Sequence, residues 1–225
     1  MRPKKTAPSR LGVGLYSIPE AARIVGAPIG RIRTWISPRE ALIARFSDPT
    51  ERTVSFLELM ELHFVKMFRS EGVSLQTIRR AACAASRKFQ ADYPFAVRTF
   101  DTDGRTIFAT LIRDESDEAV IEAVIEDLKR GQYVFKEILH PFFRKLEYHG
   151  TEEVIRYWPL EPKGRIVLDP QRHFGKPIDA KTGVPTRPLY EAVKAGEEFA
   201  VVAEWFDVPL ELVTSAVKFE ESLAA

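Results

Sequence analysis

Cysteine is nearly absent. Cys83 is the only one in 225 residues, which excludes an internal disulfide, a cysteine-based zinc site and a CxxC redox pair. A reducing, cytoplasmic setting is the expectation. Long hydrophobic runs are missing as well. No apolar stretch approaches the roughly 20 residues that span a bilayer, and the segment behind the basic opening MRPKKTAPSR is too short and polar for a secretory signal. The four histidines, His63, His140, His149 and His173, form no ligand or triad pattern. There is no P-loop, no GxGxxG turn and no nucleophile elbow. The chain therefore reads as a non-enzyme, with no catalytic residue, no metal, no cofactor and no membrane partner.

What is present is a charge polarity that the net charge of +1 conceals. Residues 1–100 hold 17 Lys/Arg against 8 Asp/Glu, and residues 101–225 hold 16 against 24. Asymmetry of this kind points to a nucleic-acid partner for the basic half and a different task for the acidic one.

The basic half is organised around YSIPEAARIVGAPIGRIRTWI, Tyr16 to Ile36. Ser17 with Glu20 spells a capping box. Ile18, Ala21, Ala22 and Val25 recur at helical spacing, and Gly26 can take the left-handed conformation that ends a helix. Pro28 fits the first turn of a second helix, whose Ile32, Trp35 and Ile36 share one side. Gly30, Arg31, Arg33 and Thr34 share the other. That is a helix-turn-helix with a cationic, small-residue outer face, suited to a major groove. The same pattern also fits an αα-corner with solvated arginines.

Beyond it, Ala41 to Phe46 and Arg52 to Val54 can form two strands around Ser47-Asp48-Pro49-Thr50. This predicts a wing with Arg45 and Arg52 at its tip. Ser55 and Glu58 repeat the capping box and open an amphipathic helix that Gly72 stops. Ser74 caps the next helix, whose alanine-rich run predicts a buried Cys83. On the first of these helices, His63 is expected at the surface or half-buried. FAVRTFDTDGRTIFATL predicts a hairpin about Asp103-Gly104, and Asp117 to Lys129 an acidic helix. VFKEILHPFFRKLEY, interrupted by Pro141, reads as irregular. Val154–Trp158 and Arg165–Leu168 predict short strands sharing one antiparallel sheet with the hairpin.

Across residues 15–85 the chain resembles the MerR-type winged helix-turn-helix. The resemblance is carried by YSIPEAARIVGAPIGRIRTW, the wing, and the corner Gly72-Val73-Ser74-Leu75-Gln76-Thr77-Ile78-Arg79. Gly30 departs from it, standing where that family usually has a basic side chain. The wing lacks the usual Asn-Gly-Tyr-Arg stretch. Residues 165–222 resemble a short domain-of-unknown-function family found in VapB-type antitoxins. Here the matching residues are Asp169-Pro170, Gly175-Lys176-Pro177-Ile178, Val184-Pro185, Gly196 and Ala216-Val217-Lys218-Phe219. Lys181-Thr182-Gly183 replaces that family's Gly-Thr-Arg.

Residues 199–222 spell a second helix pair about Asp207-Val208-Pro209. From Leu189 to Ala225 there are 2 Lys/Arg and 8 Asp/Glu, a balance that repels a duplex. This module is therefore expected to contact protein, either its own dimer mate or another polypeptide.

The expected fold is α+β. A winged helix-turn-helix over 13–90 precedes a connecting region with a small antiparallel sheet over 91–160, and a helical, helix-turn-helix-like module occupies 161–225. The combined resemblance implies a VapB-type antitoxin of a type II toxin-antitoxin system, an autorepressor and homodimer whose partners are operator double-stranded DNA and a PIN-like ribonuclease toxin. Arg31, Arg33, Thr34, Arg39, Arg45 and Arg52 are the expected DNA contacts. Arg165, Arg172 and Arg187, in a basic loop, are the expected toxin contacts. The rivals are a free-standing MerR-like transcriptional regulator and an interaction module that never meets DNA.

Overall fold

The computed structural model describes residues 12–37, 53–97, 139–149 and 154–223. Its first elements follow from local capping. Strand β1 (Tyr16–Ser17) runs directly into helix α1 (Ile18–Val25), where the Glu20 carboxylate accepts the Ser17 backbone N–H at 2.8 Å. The helix ends where Gly26 turns left-handed at φ 70°. Helix α2 (Ile29–Trp35) follows, with Pro28 capping it from just outside rather than sitting in its first turn.

Strand β2 (Thr53–Val54) pairs antiparallel with β1, Tyr16 opposite Val54. The expected return strand of the wing thus has a described partner at the entrance to α1. The other wing strand, 41–46, lies outside the described residues. So do the hairpin beyond Val97 and the acidic helix over 117–129.

The second capping box is present, with Glu58 accepting the Ser55 N–H at 2.6 Å, and it opens α3 (Phe56–Ser70). Gly72 at φ 84° turns the chain, and Ser74 caps α4 (Leu75–Phe89).

Helix α3 buries Phe56, Leu59, Met60, Phe64 and Phe68 as expected, but its middle two turns are covered on every side. Every residue from Leu59 to Val65 is buried, Glu61 and His63 included. Those two turns are a core axis, and their polar members need partners. The Glu61 carboxylate accepts the backbone N–H groups of Phe95 (2.8 Å) and Ala96 (3.0 Å), stapling the chain after α4 to the helix. His63 lies between the rings of Phe142 (5.3 Å) and Tyr157 (5.2 Å), contrary to the expected surface position.

Cys83 departs in the opposite direction, being exposed. The buried apolar positions of α4 are Ile78, Ala81, Ala82 and Ala85. That i, i+3, i+4, i+7 series leaves residue 83 off the stripe.

Of the segment around Pro141, residues 134–138 lie outside the described residues. Pro141 is the second residue of the short helix α5 (His140–Phe143). Strand β3 (Leu146–Tyr148) follows, then β4 (Val154–Tyr157), β5 (Ile166–Leu168) and β6 (Pro177–Asp179). They form a four-stranded antiparallel sheet in that order. The sheet joins β3 and β4 to β5 and β6 across the expected boundary at 160/161.

Helices α6 (Thr186–Lys194), α7 (Phe199–Trp205) and α8 (Leu210–Ser222) then close on a second apolar cluster of Ile166, Leu189, Val202, Leu212, Val213, Ala216 and Phe219. The larger cluster gathers α1 to α4 and reaches Leu168, so strand β5 contributes to both cores.

Burial, with the Lys66 and Lys145 charges nearby, pushes the His63 pKa down to about 3. Between that value and the ordinary 6.5, the unfolded chain binds the proton and the folded one refuses it. Stability from this group is complete above pH 6.5 and is lost as pH falls toward 3, at up to about 1.4 kcal/mol per pH unit. Urea titrations of wild type and His63→Phe at stepped pH should show the variant gaining on wild type throughout that window. Parallel curves would contradict the assignment.

Candidate nucleic-acid interface

Helix α2 is anchored from one side. Ile32 (0% exposed) and Trp35 (3%) enter the core with Ile36, while Gly30, Arg31, Arg33 and Thr34 face outward. The division is the one the sequence spacing predicts. Among the described residues neither Arg31 nor Arg33 makes an ion pair or side-chain hydrogen bond. Residues two apart do not face each other on a helix, so the two guanidiniums leave α2 on either side of Ile32, both exposed and with their donors unspent. The Thr34 hydroxyl donates to the Gly30 carbonyl at 3.0 Å, which leaves its lone pairs for an outside donor. A Cβ built on Gly30 meets no atom within 4 Å, so this glycine is not required by packing. Arg39, Arg45 and Arg52 lie outside the described residues.

The opposite face of the helix-turn-helix is occupied by the chain's own carboxyl-terminal part. The Tyr16 hydroxyl donates to the Gly175 carbonyl at 2.5 Å, and Leu15 N–H donates to the Phe174 carbonyl at 2.9 Å. To present those carbonyls, His173, Phe174 and Gly175 all take positive φ, at 45°, 55° and 81°. A Cβ on Gly175 would lie 2.5 Å from the Tyr16 hydroxyl. Only glycine permits so close an approach. Burial, with the Glu20 and Asp169 charges, pushes the Tyr16 hydroxyl pKa well above its ordinary value, so it stays a donor.

Two ion pairs flank this contact. Lys176 meets Glu20, and Arg23 meets Glu220. Burial drives the Glu20 carboxyl upward, but hydrogen bonds from Lys176 and Ser17 outweigh it and hold the group below the usual carboxylate range.

Sequence reasoning missed Glu220. It is 1% exposed, accepts the Thr186 hydroxyl at 2.6 Å, and has Arg187 Nη1 at 3.6 Å besides Arg23. The signal was available. Glu220 falls four after Ala216 and eight after Leu212, on the apolar stripe of α8, where an unpaired carboxylate is costly.

The three arginines assigned to a toxin are engaged internally. Arg165 Nε donates to the buried Asp179 at 3.0 Å. Arg172 donates to the Ala180 carbonyl at 2.8 Å. Arg187 pairs with Glu191 and lies beside Glu220. Asp179 also accepts the Thr182 backbone N–H (2.7 Å) and hydroxyl (2.9 Å), so Thr182 and Gly183 serve this turn. Arg156 likewise bridges Asp169 (2.8 Å) and Glu147 (3.0 Å), which together raise its pKa. No group of three or more His, Cys, Asp or Glu among the described residues is placed to hold a metal ion. No described helix is long and apolar enough to cross a membrane.

Residues 16–83 match the family described as MerR HTH family regulatory protein. The amino-terminal unit is a MerR-type helix-turn-helix. Residues 166–219 match a family described as protein of unknown function, DUF433. The chain is similar to "Putative antitoxin VapB45" of Mycobacterium tuberculosis strain H37Rv, 25% identical over 88% of this chain and 90% of that one. The crystal structure of Rv2018 from Mycobacterium tuberculosis shares the fold, with a TM-score of 0.74 at 24% identity over 93% of this chain and all of that one. The chain thus pairs a segment matching the MerR family with one matching DUF433, the two joined through Tyr16, Arg23 and Glu220.

The two glycines of the MerR-type unit and its seam should respond in opposite ways. Gly30→Ala should raise unfolding stability by about 0.5 kcal/mol, since α2 gains helix propensity with no clash. Gly175→Ala should lower it by about 1–3 kcal/mol, because the methyl meets Tyr16 at a strained φ. Thermal melts of both variants check the pair.

Proposed function

We propose that this chain is the antitoxin of a type II toxin-antitoxin pair, which silences a PIN-like ribonuclease toxin and represses its own operon. The observation that supports it most is the outward face of α2, Gly30-Arg31 and Arg33-Thr34, projecting cationic donors from a helix whose other side is locked in the core. Arg31 and Arg33 neutralise phosphates or read guanine edges in the major groove, and Thr34 accepts from a base amine. Arg39, Arg45 and Arg52 belong to the same proposed set of DNA contacts, as further phosphate-neutralising cations. Operator palindromy and protein two-fold symmetry go together, so the functional species is a homodimer. It works in the cytoplasm, with residues 13–90 on DNA, 91–160 as connector and 161–225 on the toxin.

Similarity to an antitoxin over nearly the whole length of both chains supports the toxin arm. Arg165, Arg172 and Arg187 take part through the N–H groups that their internal contacts leave over, each guanidinium having five. An acidic, metal-binding nuclease site attracts such donors.

Two outcomes are expected. Arg33→Ala should weaken operator binding at all sequences and lower the slope of log affinity against log salt by about 1. Fluorescence anisotropy at several salt concentrations measures it, and an unchanged slope removes Arg33 from the interface. Co-expression with the product of the neighbouring reading frame should yield a complex that cleaves no RNA. Free operator binding without any such complex would leave a free-standing MerR-like regulator.

A further inference from the structure

Five large apolar side chains are exposed among the described residues, and three of them lie on the α7–α8 pair. They are Phe199 (38% exposed), Trp205 (61%) and Leu210 (48%). Trp205 closes α7 and Leu210 opens α8, so the two bracket the corner at Asp207-Val208-Pro209. The inner side of this helix pair is already filled, since Val202, Leu212, Val213 and Ala216 are buried in the module's own core. Folding therefore leaves the indole outside with no structural use for it. Tryptophan so placed is the residue type enriched at the energetic centres of protein interfaces.

The rim of this surface has one sign. Glu198, Glu204, Asp207 and Glu211 are exposed around the same two helices, and none of the four is ion-paired among the described residues. The exposed cations nearest in sequence are Lys194, at the end of α6, and Lys218, two turns into α8.

We infer that the α7–α8 corner docks a protein carrying a cationic groove with an apolar floor. On the antitoxin reading, on which this rests, that groove is the RNA-binding cleft of the ribonuclease. Charge makes the choice. A duplex or an anionic membrane is repelled by four carboxylates. A second copy meeting this face by two-fold symmetry would set the same carboxylates against their own images. A ribonuclease, by contrast, must grip a polyanion with lysine and arginine and offers flat apolar platforms to the bases. Carboxylates of Glu204, Asp207 and Glu211 then stand where phosphates would, and the Trp205 indole stands where a base would. Inhibition follows from occupancy of the RNA path, separately from any arginine that reaches the metal site.

The test uses the full chain and the ribonuclease encoded by the neighbouring reading frame, purified apart and recombined. Trp205→Ala removes the anchor, and a triple Glu204→Lys, Asp207→Lys, Glu211→Lys variant reverses the rim. All of these side chains are exposed, and operator binding by each variant serves as the folding control. Trp205→Ala should weaken the complex about thirtyfold, and the reversed rim should weaken it at least as much. Affinity should fall as salt rises, and a short single-stranded RNA should compete. Both variants binding the ribonuclease within twofold of wild type would overturn the inference while leaving the antitoxin reading intact. Loss of self-association in Trp205→Ala with unchanged ribonuclease affinity would overturn it too, assigning the face to a second copy. An unaltered chain that binds its operator but no ribonuclease would remove the antitoxin reading itself, and the inference with it.

Discussion

A carboxylate with nowhere to go holds the molecule together. Glu220 occupies the last turn of α8, where the negative end of the helix dipole already disfavours it, and it is almost fully buried. Such a group demands compensation. It receives the Thr186 hydroxyl from the start of α6, Arg187 from the same turn, and Arg23 from α1 of the MerR-type unit. Arg23 is itself in the last turn of its helix, where a cation is favoured. Two helix carboxyl ends, 197 residues apart in sequence, are thus joined by one charge pair.

Most of the stability comes from elsewhere. Helix α3, with Leu59, Met60, Leu62, Phe64 and Val65 fully buried, removes far more apolar surface from water than any ion pair returns. What the Glu220 pair and the Tyr16–Gly175 contact supply is position. They place the acidic helical module on the α1 side of the helix-turn-helix, so the outer face of α2 keeps its arginines unopposed. The opposite signs of the two halves can then serve different partners without neutralising each other.

The helices were legible wherever the determinant was local. Both capping boxes, the left-handed Gly26 and the inward side of α2 follow from residues within four positions of one another. The strands Val154–Tyr157 and Ile166–Leu168 were legible too, as short apolar runs between turn residues. Long-range partners were not. Nothing in Thr53-Val54 says that it pairs with Tyr16-Ser17. Nothing in Arg165 reveals an Asp179 fourteen residues on, reached across a strand pair. His63 and Cys83 show the limits of single-residue reasoning. A histidine went inside because α3 is wrapped on every side, and a cysteine stayed outside because it missed the stripe by one position. Glu220 lay between these cases. Its periodicity was readable, but the arginine that answers it belongs to another domain.

Helices α8 and α1 share one part-buried charge contact and therefore share their stability. Hydrogen exchange of the full chain with Glu220→Gln tests it most directly. The account predicts that protection falls together in Leu210–Ser222 and in Ile18–Val25. Faster exchange confined to the carboxyl-terminal helices, with α1 as protected as in wild type, would contradict it.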